Sequence, residues 1–116
     1  PAACAAGIAT QRIYRDERLF DRAAELSDYL LDAVFELQSL DIVTDVRGYG
    51  LIAGIDVKPG NAPGARGSEI QKRLFWNGLH IKFTGDAGIL APPLIADKSH
   101  IDELVSVLRQ TLTEVA

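Results

Sequence analysis

The pattern of apolar positions along this chain of 116 residues changes period several times. Between residues 19 and 37, and again between 101 and 112, apolar side chains recur every three to four positions, which predicts amphipathic helices. Between residues 51 and 57 the period falls to two, which predicts a strand with one buried face. The alternating apolar residues of that strand are Leu51, Ala53, Ile55 and Val57.

Two helices are predicted before the first strand. Residues 1–15 carry small side chains at helical spacing, and their alanine-rich face predicts close packing against another element. Asp16 is expected to cap the second helix. That helix has two apolar rows, one containing Leu30 and the other Phe20, so we expect it to be buried on two sides.

Two further helices are predicted in the second half of the chain. Ser68 is expected to cap the third helix, and Asn77 with Gly78 is expected to end it because both residues tolerate a left-handed conformation. Ser99, with Asp102 three residues later, predicts a capping box at the start of the last helix.

The intervening segments predict three more strands. Residues 42–47 form the first, and Gly48-Tyr49-Gly50 is expected to form the turn or bulge that follows it. Residues 79–84 alternate between apolar and polar side chains and predict the third strand. Residues 89–91 predict a short fourth strand, ended by a double proline that cannot donate to a sheet ladder.

The element order is therefore ααββαββα. It predicts an α+β fold in which helices pack largely on one face of a small sheet of three to four mainly antiparallel strands. A chain of 12.6 kDa with 47% hydrophobic residues is sized for one domain. Residues 1–116 are therefore assigned to a single domain, with residues 1–40 as a helical segment leading into it.

Charge and cysteine usage narrow the function classes. The formal net charge is -4 and no basic stripe is present, so neither nucleic acid nor a membrane is expected as a partner. No apolar run approaches the roughly 20 residues that span a bilayer. Cys4 is the only cysteine, which excludes an internal disulfide and favours a cytoplasmic location; its thiol is expected to be buried and inert.

Lys82 is the residue with the most distinctive candidate chemistry. It lies centrally in the predicted third strand, on a polar face shared with His80 and Thr84. Three interpretations are open: an exposed lysine on the solvent side of the sheet, a receptor for a substrate carboxylate, or a Schiff-base lysine. The third needs a cofactor cradle that the sequence does not display.

Other motifs carry weaker signals. Gly48-Tyr49-Gly50 lacks the third glycine and the following helix of a dinucleotide-binding fingerprint. His80 and His100 have no carboxylate or thiol at a supporting spacing, so no metal site is predicted. The chain contains no methionine and opens on proline, which fits a piece of a longer protein or a chain that has lost its initiator methionine.

Several segments together resemble one known family. Residues 1–6 (Pro-Ala-Ala-Cys-Ala-Ala) resemble the helix after the cofactor-phosphate threonine, and residues 46–55 resemble the first hairpin. Residues 84–86 (Thr-Gly-Asp) with residues 91–95 (Ala-Pro-Pro-Leu-Ile) resemble a branch-specific ending. Over essentially its whole length the chain is similar to the C-terminal small domain of class III, fold type I aminotransferases, most closely the omega-amino acid:pyruvate (beta-alanine:pyruvate) branch.

The resemblance implies one functional position. In that family the Schiff-base lysine, the aspartate on the pyridine nitrogen and the phosphate-binding threonine lie upstream, so no catalytic or cofactor-binding residue is assigned in this chain. Relatives carry an arginine two residues before the Thr-Gly-Asp segment, and this arginine grips the carboxylate of the amino acceptor. Lys82 stands there and is assigned as substrate-binding; it keeps the charge but loses the bidentate fork of arginine.

The resemblance also implies the activity of a parent protein. Such a transaminase moves an amino group from an omega-amino acid or amine to pyruvate or another keto acid, in ping-pong order, through pyridoxal 5'-phosphate. The implied partners are a missing N-terminal domain that binds this cofactor, a second copy in a homodimer, and the amine and keto acid substrates. The chain alone is expected to be inactive and to bind no cofactor.

Two other functions are compatible with the residues themselves. The chain can be a stand-alone α+β binding or oligomerisation module without catalysis. It can also be an unrelated small enzyme that uses Lys82, His80 and Asp86.

Overall fold

The computed structural model describes every residue from Pro1 to Ala116, and the elements follow the predicted order ααββαββα. The helices are α1 (Ala2–Asp16), α2 (Leu19–Phe35), α3 (Ala65–Trp76) and α4 (Lys98–Val115), with a short 3-10 helix, Glu36–Ser39, directly after α2. The strands are β1 (Val43–Tyr49), β2 (Ile52–Val57), β3 (Lys82–Thr84) and β4 (Ala87–Leu90). None of the helices has the length and apolar content needed to cross a membrane.

The four strands form one antiparallel sheet in the order β1-β2-β4-β3. Strands β1 and β2 form one hairpin, and β3 and β4 form another. The second hairpin pairs with the first through β4, which lies next to β2. Strand β3 therefore lies at an edge of the sheet and is bonded on one side only. The prediction of an α+β fold with a mainly antiparallel sheet is confirmed.

One face of the sheet is buried under three helices, as predicted. Strand residues from this face and apolar residues of α2, α3 and α4 form one continuous core. Its fully buried members include Leu30, Leu37, Ile55, Ile70, Leu74, Leu90, Ile101, Leu108 and Leu112. Helix α1 contributes no buried residue.

The opposite face of the sheet is open. The register of the strands shows which residues lie side by side on this face. Directly paired residues on neighbouring strands point to the same face. Arg47 pairs with Gly54, Gly54 with Ile89, and Ile89 with Lys82. These four residues therefore form one row across the open face, with Lys82 at the free edge.

The first hairpin turns two residues later than predicted. Gly48 and Tyr49 belong to β1, Tyr49 pairs with Ile52, and the connection is the two-residue loop Gly50-Leu51. Gly50 has φ 58°, the left-handed conformation that such tight hairpins require. The pattern of two glycines indicated a turn but did not specify which glycine would form it.

The third strand is shorter than predicted, because pairing starts at Lys82 rather than at residue 79. If the register continued, residues 79–81 would lie opposite residues 90–92, and β4 ends at the first of these, directly before the double proline begins at residue 92. Proline offers no N–H to a ladder, so no partner is available. His80 consequently lies outside the sheet, whereas Lys82 and Thr84 belong to β3.

Three predicted helix starts are wrong. Asp16 is the last residue of α1, and α2 starts after Arg18. Helix α3 starts after Gly64 rather than at Ser68, and α4 is capped by Asp97, not by Ser99 with Asp102. Asp86 and Asp97 accept the first amides of α3 and α4 in place of the expected caps, whereas α2 starts after Arg18 without a side-chain cap. The predicted end of α3 at Asn77 and Gly78 is confirmed.

The predicted burial of the first two helices is found only in part. Leu30 and its row on α2 lie in the core, but the second row is mostly open: Phe20 is 62% exposed and only Leu31 packs against the core. Tyr14 and Phe20 stack edge to face, with ring centroids 5.1 Å apart. Cys4 is exposed in this chain, contrary to the expectation of a buried thiol.

Helix α3 lies unusually close to the turn between β3 and β4. A Cβ atom added to Gly67 would overlap the carbonyl oxygen of Gly85, and one added to Gly64 would lie 3.3 Å from the Gly85 Cα. Gly85 itself has φ 61° and forms the turn. The absence of side chains at both helix glycines is therefore what lets the helix approach the hairpin.

Gly67→Ala is expected to lower the free energy of unfolding of the chain by about 1 to 3 kcal/mol, because the new Cβ would overlap backbone atoms that cannot rotate away. Alanine has the higher helix propensity by about 1 kcal/mol, so a loss of stability identifies the steric effect. Urea denaturation followed by circular dichroism measures the change.

Gly7→Ala is the matched control. Gly7 also lies in a helix, but nothing lies within 4 Å of a Cβ placed there. This variant should be at least as stable as the wild-type chain. A Gly67→Ala variant as stable as Gly7→Ala would contradict the close contact.

Asp97→Ala should destabilise the chain at neutral pH but much less in acid. The Ser99 hydroxyl and the His100 backbone N–H donate to the Asp97 carboxylate and lower the pKa of Asp97 below its ordinary value of 3.8. Because the pKa of Asp97 is lower in the folded state than in the unfolded state, its carboxylate stabilises the fold at pH values above the unfolded-state pKa. This stabilisation is lost as the pH falls through the folded-state pKa. Denaturation of both proteins from pH 7 to pH 2 tests this, and a constant difference would contradict it.

Candidate functional site

Lys82 is exposed at the start of β3, on the open face and at the free edge of the sheet. Its ammonium group takes part in none of the ion pairs of the chain. Ile89 lies directly opposite on β4 and is partly exposed on the same face. An unpaired ammonium beside an apolar side chain can receive an anion once a covering group excludes water.

Arg47, the other cation of this row, is already paired. Its guanidinium lies over Gly54, where an added Cβ would be 3.3 Å from Arg47 Nε. It donates to Asp45 at 2.7 Å and to Asp56 at 2.9 Å. Hydrogen bonds to Asp56 and Asp45 raise the pKa of Arg47 above its already high ordinary value. With two carboxylates on one guanidinium, Arg47 is not available to an external anion, and Lys82 is the free cation of the row.

A groove of about 560 Å³ lies beside the free edge of the sheet. Its walls are the segment 77–82, residues 91–96 after β4, and the first half of α4. Lys82 and Ile89 both line it, so the groove continues from the end of the row described above. Leu79, Ile81, Pro92, Pro93, Leu104 and Val107 give it largely apolar walls.

The structure brings the two histidines into this same groove, which their spacing in sequence did not indicate. His80 and His100 both line it together with Glu103. His80 packs edge to face on Phe75, with ring centroids 6.0 Å apart. His100 belongs to the cap of α4. No three His, Cys, Asp or Glu side chains are placed to hold a metal ion.

The helix starts near the sheet are occupied by carboxylates of the chain itself. Asp86, in the turn after β3, accepts hydrogen bonds from Gly67 N at 2.9 Å and Gly64 N at 3.1 Å, both at the start of α3. Asp97 accepts from the first amides of α4. Helix starts are the usual anion sites of a fold, so neither of these remains open to the phosphate of a cofactor.

Sequence reasoning found some of these residues and missed others. It selected Lys82 and the shared face with Thr84, and both lie on β3. It named Asp86 only as a possible enzymatic group, whereas this carboxylate is bonded to the start of α3. It missed the pairing of Arg47 with two aspartates, although the alternation of Asp45 and Arg47 along β1 was an available signal.

Comparison with known proteins identifies the family. The model of the family "Aminotransferase class-III" matches residues 1–112. The omega-aminotransferase of Caulobacter vibrioides is 47% identical over 116 residues, covering 99% of this chain and 26% of that protein. The putrescine–pyruvate aminotransferase of Pseudomonas aeruginosa is 32% identical over 123 residues, covering 100% of this chain and 27% of that protein.

Solved structures give the same result for the fold. A structure described as a transaminase with L-ala superimposes with a TM-score of 0.95 at 30% identity, covering 99% of this chain and 29% of that chain. The present chain thus spans about a quarter of the length of the relatives that it matches. With a family match over nearly all its residues and the same fold in a solved transaminase, the chain belongs to the class-III aminotransferases.

Proposed function

We propose that these 116 residues form the C-terminal small domain of a transaminase that moves an amino group from an omega-amino acid or amine to pyruvate or another keto acid. The relatives named omega-aminotransferase, putrescine–pyruvate aminotransferase and beta-alanine–pyruvate aminotransferase support this substrate class. Within that protein, Lys82 receives the carboxylate of the amino acceptor. The observation that carries this assignment is the unpaired Lys82 ammonium on the open face of the sheet.

Charge and shape around Lys82 favour a small carboxylate. Arg47, the other cation of the row, lies on β1 at the opposite edge of the sheet and is held by Asp45 and Asp56, so Lys82 is the cation of this row that can receive an anion. Ile89 beside it offers an apolar contact for a short carbon chain. A lysine forms a less directional pair with a carboxylate than an arginine does, because it lacks two parallel N–H groups. Replacing Lys82 with arginine should therefore strengthen binding of the acceptor carboxylate.

The cofactor implied by the family is pyridoxal 5'-phosphate, and the residues of this chain do not form a site for it. The starts of α3 and α4 hold Asp86 and Asp97, and Lys82 lies on an exposed strand edge with no phosphate-binding loop beside it. We therefore assign the cofactor to the part of the parent protein outside these residues. The role of this chain is to bind and orient the acceptor.

Apolar side chains exposed on α1 and α2 support the proposal that this chain is part of a larger assembly. No residue of α1 is buried, and Ile8, Ile13, Phe20 and Phe35 are exposed on α1 and α2. Large apolar side chains left exposed along two successive helices are typical of surfaces that a partner covers. We propose that an N-terminal cofactor-binding domain and the second copy of a homodimer cover them. A cytoplasmic location belongs to the same proposal and rests on the single cysteine.

Lys82→Ala, made in the full-length transaminase, should raise the KM for pyruvate by about tenfold, the scale of one hydrogen bond to a charged group. The kinetics of the amine donor in its half-reaction should not change. Lys82→Arg should lower the KM for pyruvate, because the bidentate fork is restored. Steady-state kinetics with pyruvate, and with an aldehyde acceptor that lacks a carboxylate, measures these effects.

Lys72→Ala is the matched control, since Lys72 is an exposed lysine of α3 that forms no ion pair. It should leave both acceptors unaffected. If Lys82→Ala affects the aldehyde as strongly as pyruvate, or neither Lys82 variant changes pyruvate kinetics, the assignment of Lys82 is wrong.

The 116-residue chain by itself should not catalyse transamination. Mixed with pyridoxal 5'-phosphate, an amine and pyruvate, it should form alanine no faster than the free cofactor does, because this chain holds no site for the cofactor. Chromatographic measurement of alanine tests this. Turnover well above the cofactor background would contradict the placement of the catalytic groups outside these residues.

A further inference from the structure

Strand β3 is held weakly by its own ladder. It has three residues, pairs only with β4, and its other edge is free. Short edge strands fray easily because few backbone hydrogen bonds hold them. Lys82 is the first residue of this strand, so its position depends on what fixes the rest of the hairpin.

Two contacts with α3 fix that hairpin. Both oxygens of the Asp86 carboxylate accept backbone N–H groups at the start of α3, from Gly67 at 2.9 Å and from Gly64 at 3.1 Å. In the middle of β3, the backbone N–H of Phe83 donates to the Gln71 side chain at 3.3 Å. The edge of β3 that has no neighbouring strand is thus bonded to α3, which lies where a further strand would otherwise pair.

The contact at Asp86 is the stronger of the two. A carboxylate at a helix start combines two charge-assisted hydrogen bonds with the positive end of the helix dipole. Asp86 is half-buried and forms no ion pair with any cation of the chain. Its backbone carbonyl also accepts from Val57 N at 3.0 Å, which joins the same turn to β2.

We propose that Asp86 is a positioning residue for the acceptor site: by binding the start of α3 it sets the place of β3 and therefore of the Lys82 ammonium. Asp86 does not touch the substrate and acts only through Lys82. This inference rests on the proposed function, because it assigns Asp86 a role in the recognition of the acceptor carboxylate. Both oxygens of this half-buried carboxylate are bonded to the start of α3, and Lys82 is not among its partners.

The test uses Asp86→Asn in the full-length transaminase. Asparagine has the same shape, but its NH₂ group would face a backbone N–H, so one of the two bonds is lost. The KM for pyruvate should rise by about three- to tenfold, since small displacements of a binding group reduce productive binding strongly. The kcat and KM for an aldehyde acceptor without a carboxylate should stay at their wild-type values.

Asp97→Asn is the matched control. Asp97 also accepts backbone amides at a helix start, but it caps α4 and is not bonded to β3. This variant should lose comparable thermal stability without a change in the KM for pyruvate. If it raises that KM as much as Asp86→Asn does, general destabilisation accounts for the effect and the proposal is overturned.

A double variant separates this inference from the proposed function. If Asp86 acts through Lys82, then adding Asp86→Asn to Lys82→Ala should raise the KM for pyruvate no further. If the KM change of the double variant equals the product of the two single-variant changes, Asp86 acts by another route. That result would overturn this inference but not the proposed function. An effect of Lys82→Ala with none of Asp86→Asn would do the same. Wild-type kinetics in Lys82→Ala would overturn both proposals.

Gln71→Leu provides a second variant in case Asp86→Asn does not fold. It removes the other bond from α3 to β3, the one to Phe83 N. The KM for pyruvate should again rise, and the aldehyde kinetics should again be unchanged. Unchanged pyruvate kinetics in a folded Gln71→Leu protein would contradict the idea that α3 sets the position of β3.

Discussion

The register between β3 and β4 determines which side chains of the second hairpin face the open side of the sheet. Lys82 pairs with Ile89 and Phe83 with Gly88. A slip of one residue would turn Lys82 toward the core and Phe83 toward solvent. Gly88 resists the slip, because a Cβ there would lie 2.8 Å from the Phe83 ring, so the ring packs only over a glycine. A steric constraint in the core thus places a charged group at the surface.

Most charges on or next to the sheet have partners within the chain, and this is what makes Lys82 distinctive. Arg47 is shared by Asp45 and Asp56, Lys58 pairs with Asp41 at 2.7 Å, and Asp86 is bonded to backbone amides. The chain as a whole is acidic, with a formal charge of -4. Lys82 is therefore the ammonium group of the sheet that has no partner within the chain, and at physiological ionic strength such an exposed charge acts on an anion only from close range.

The same core leaves much of the first two helices uncovered. One row of α2 lies in the core, whereas Phe20 and Phe35 of the other row, and all of α1, lie outside it. Only one of the two apolar sides of α2 is therefore well covered within these 116 residues. The chain spans about a quarter of the length of the matched relatives.

Local patterns determined the order of helices and strands and the buried faces of β2 and α4, because side-chain period and turn residues act over a few positions. They also placed Lys82 on the polar face of β3, whereas its role as a substrate-binding residue stays a prediction. They failed where a partner distant in sequence decides the outcome. The start of α3 depends on Asp86 rather than on Ser68, and β3 begins at Lys82 because prolines follow β4. Only the folded chain places Arg47 between two aspartates and leaves Lys82 unpaired, because those distances are set by strand register across the sheet.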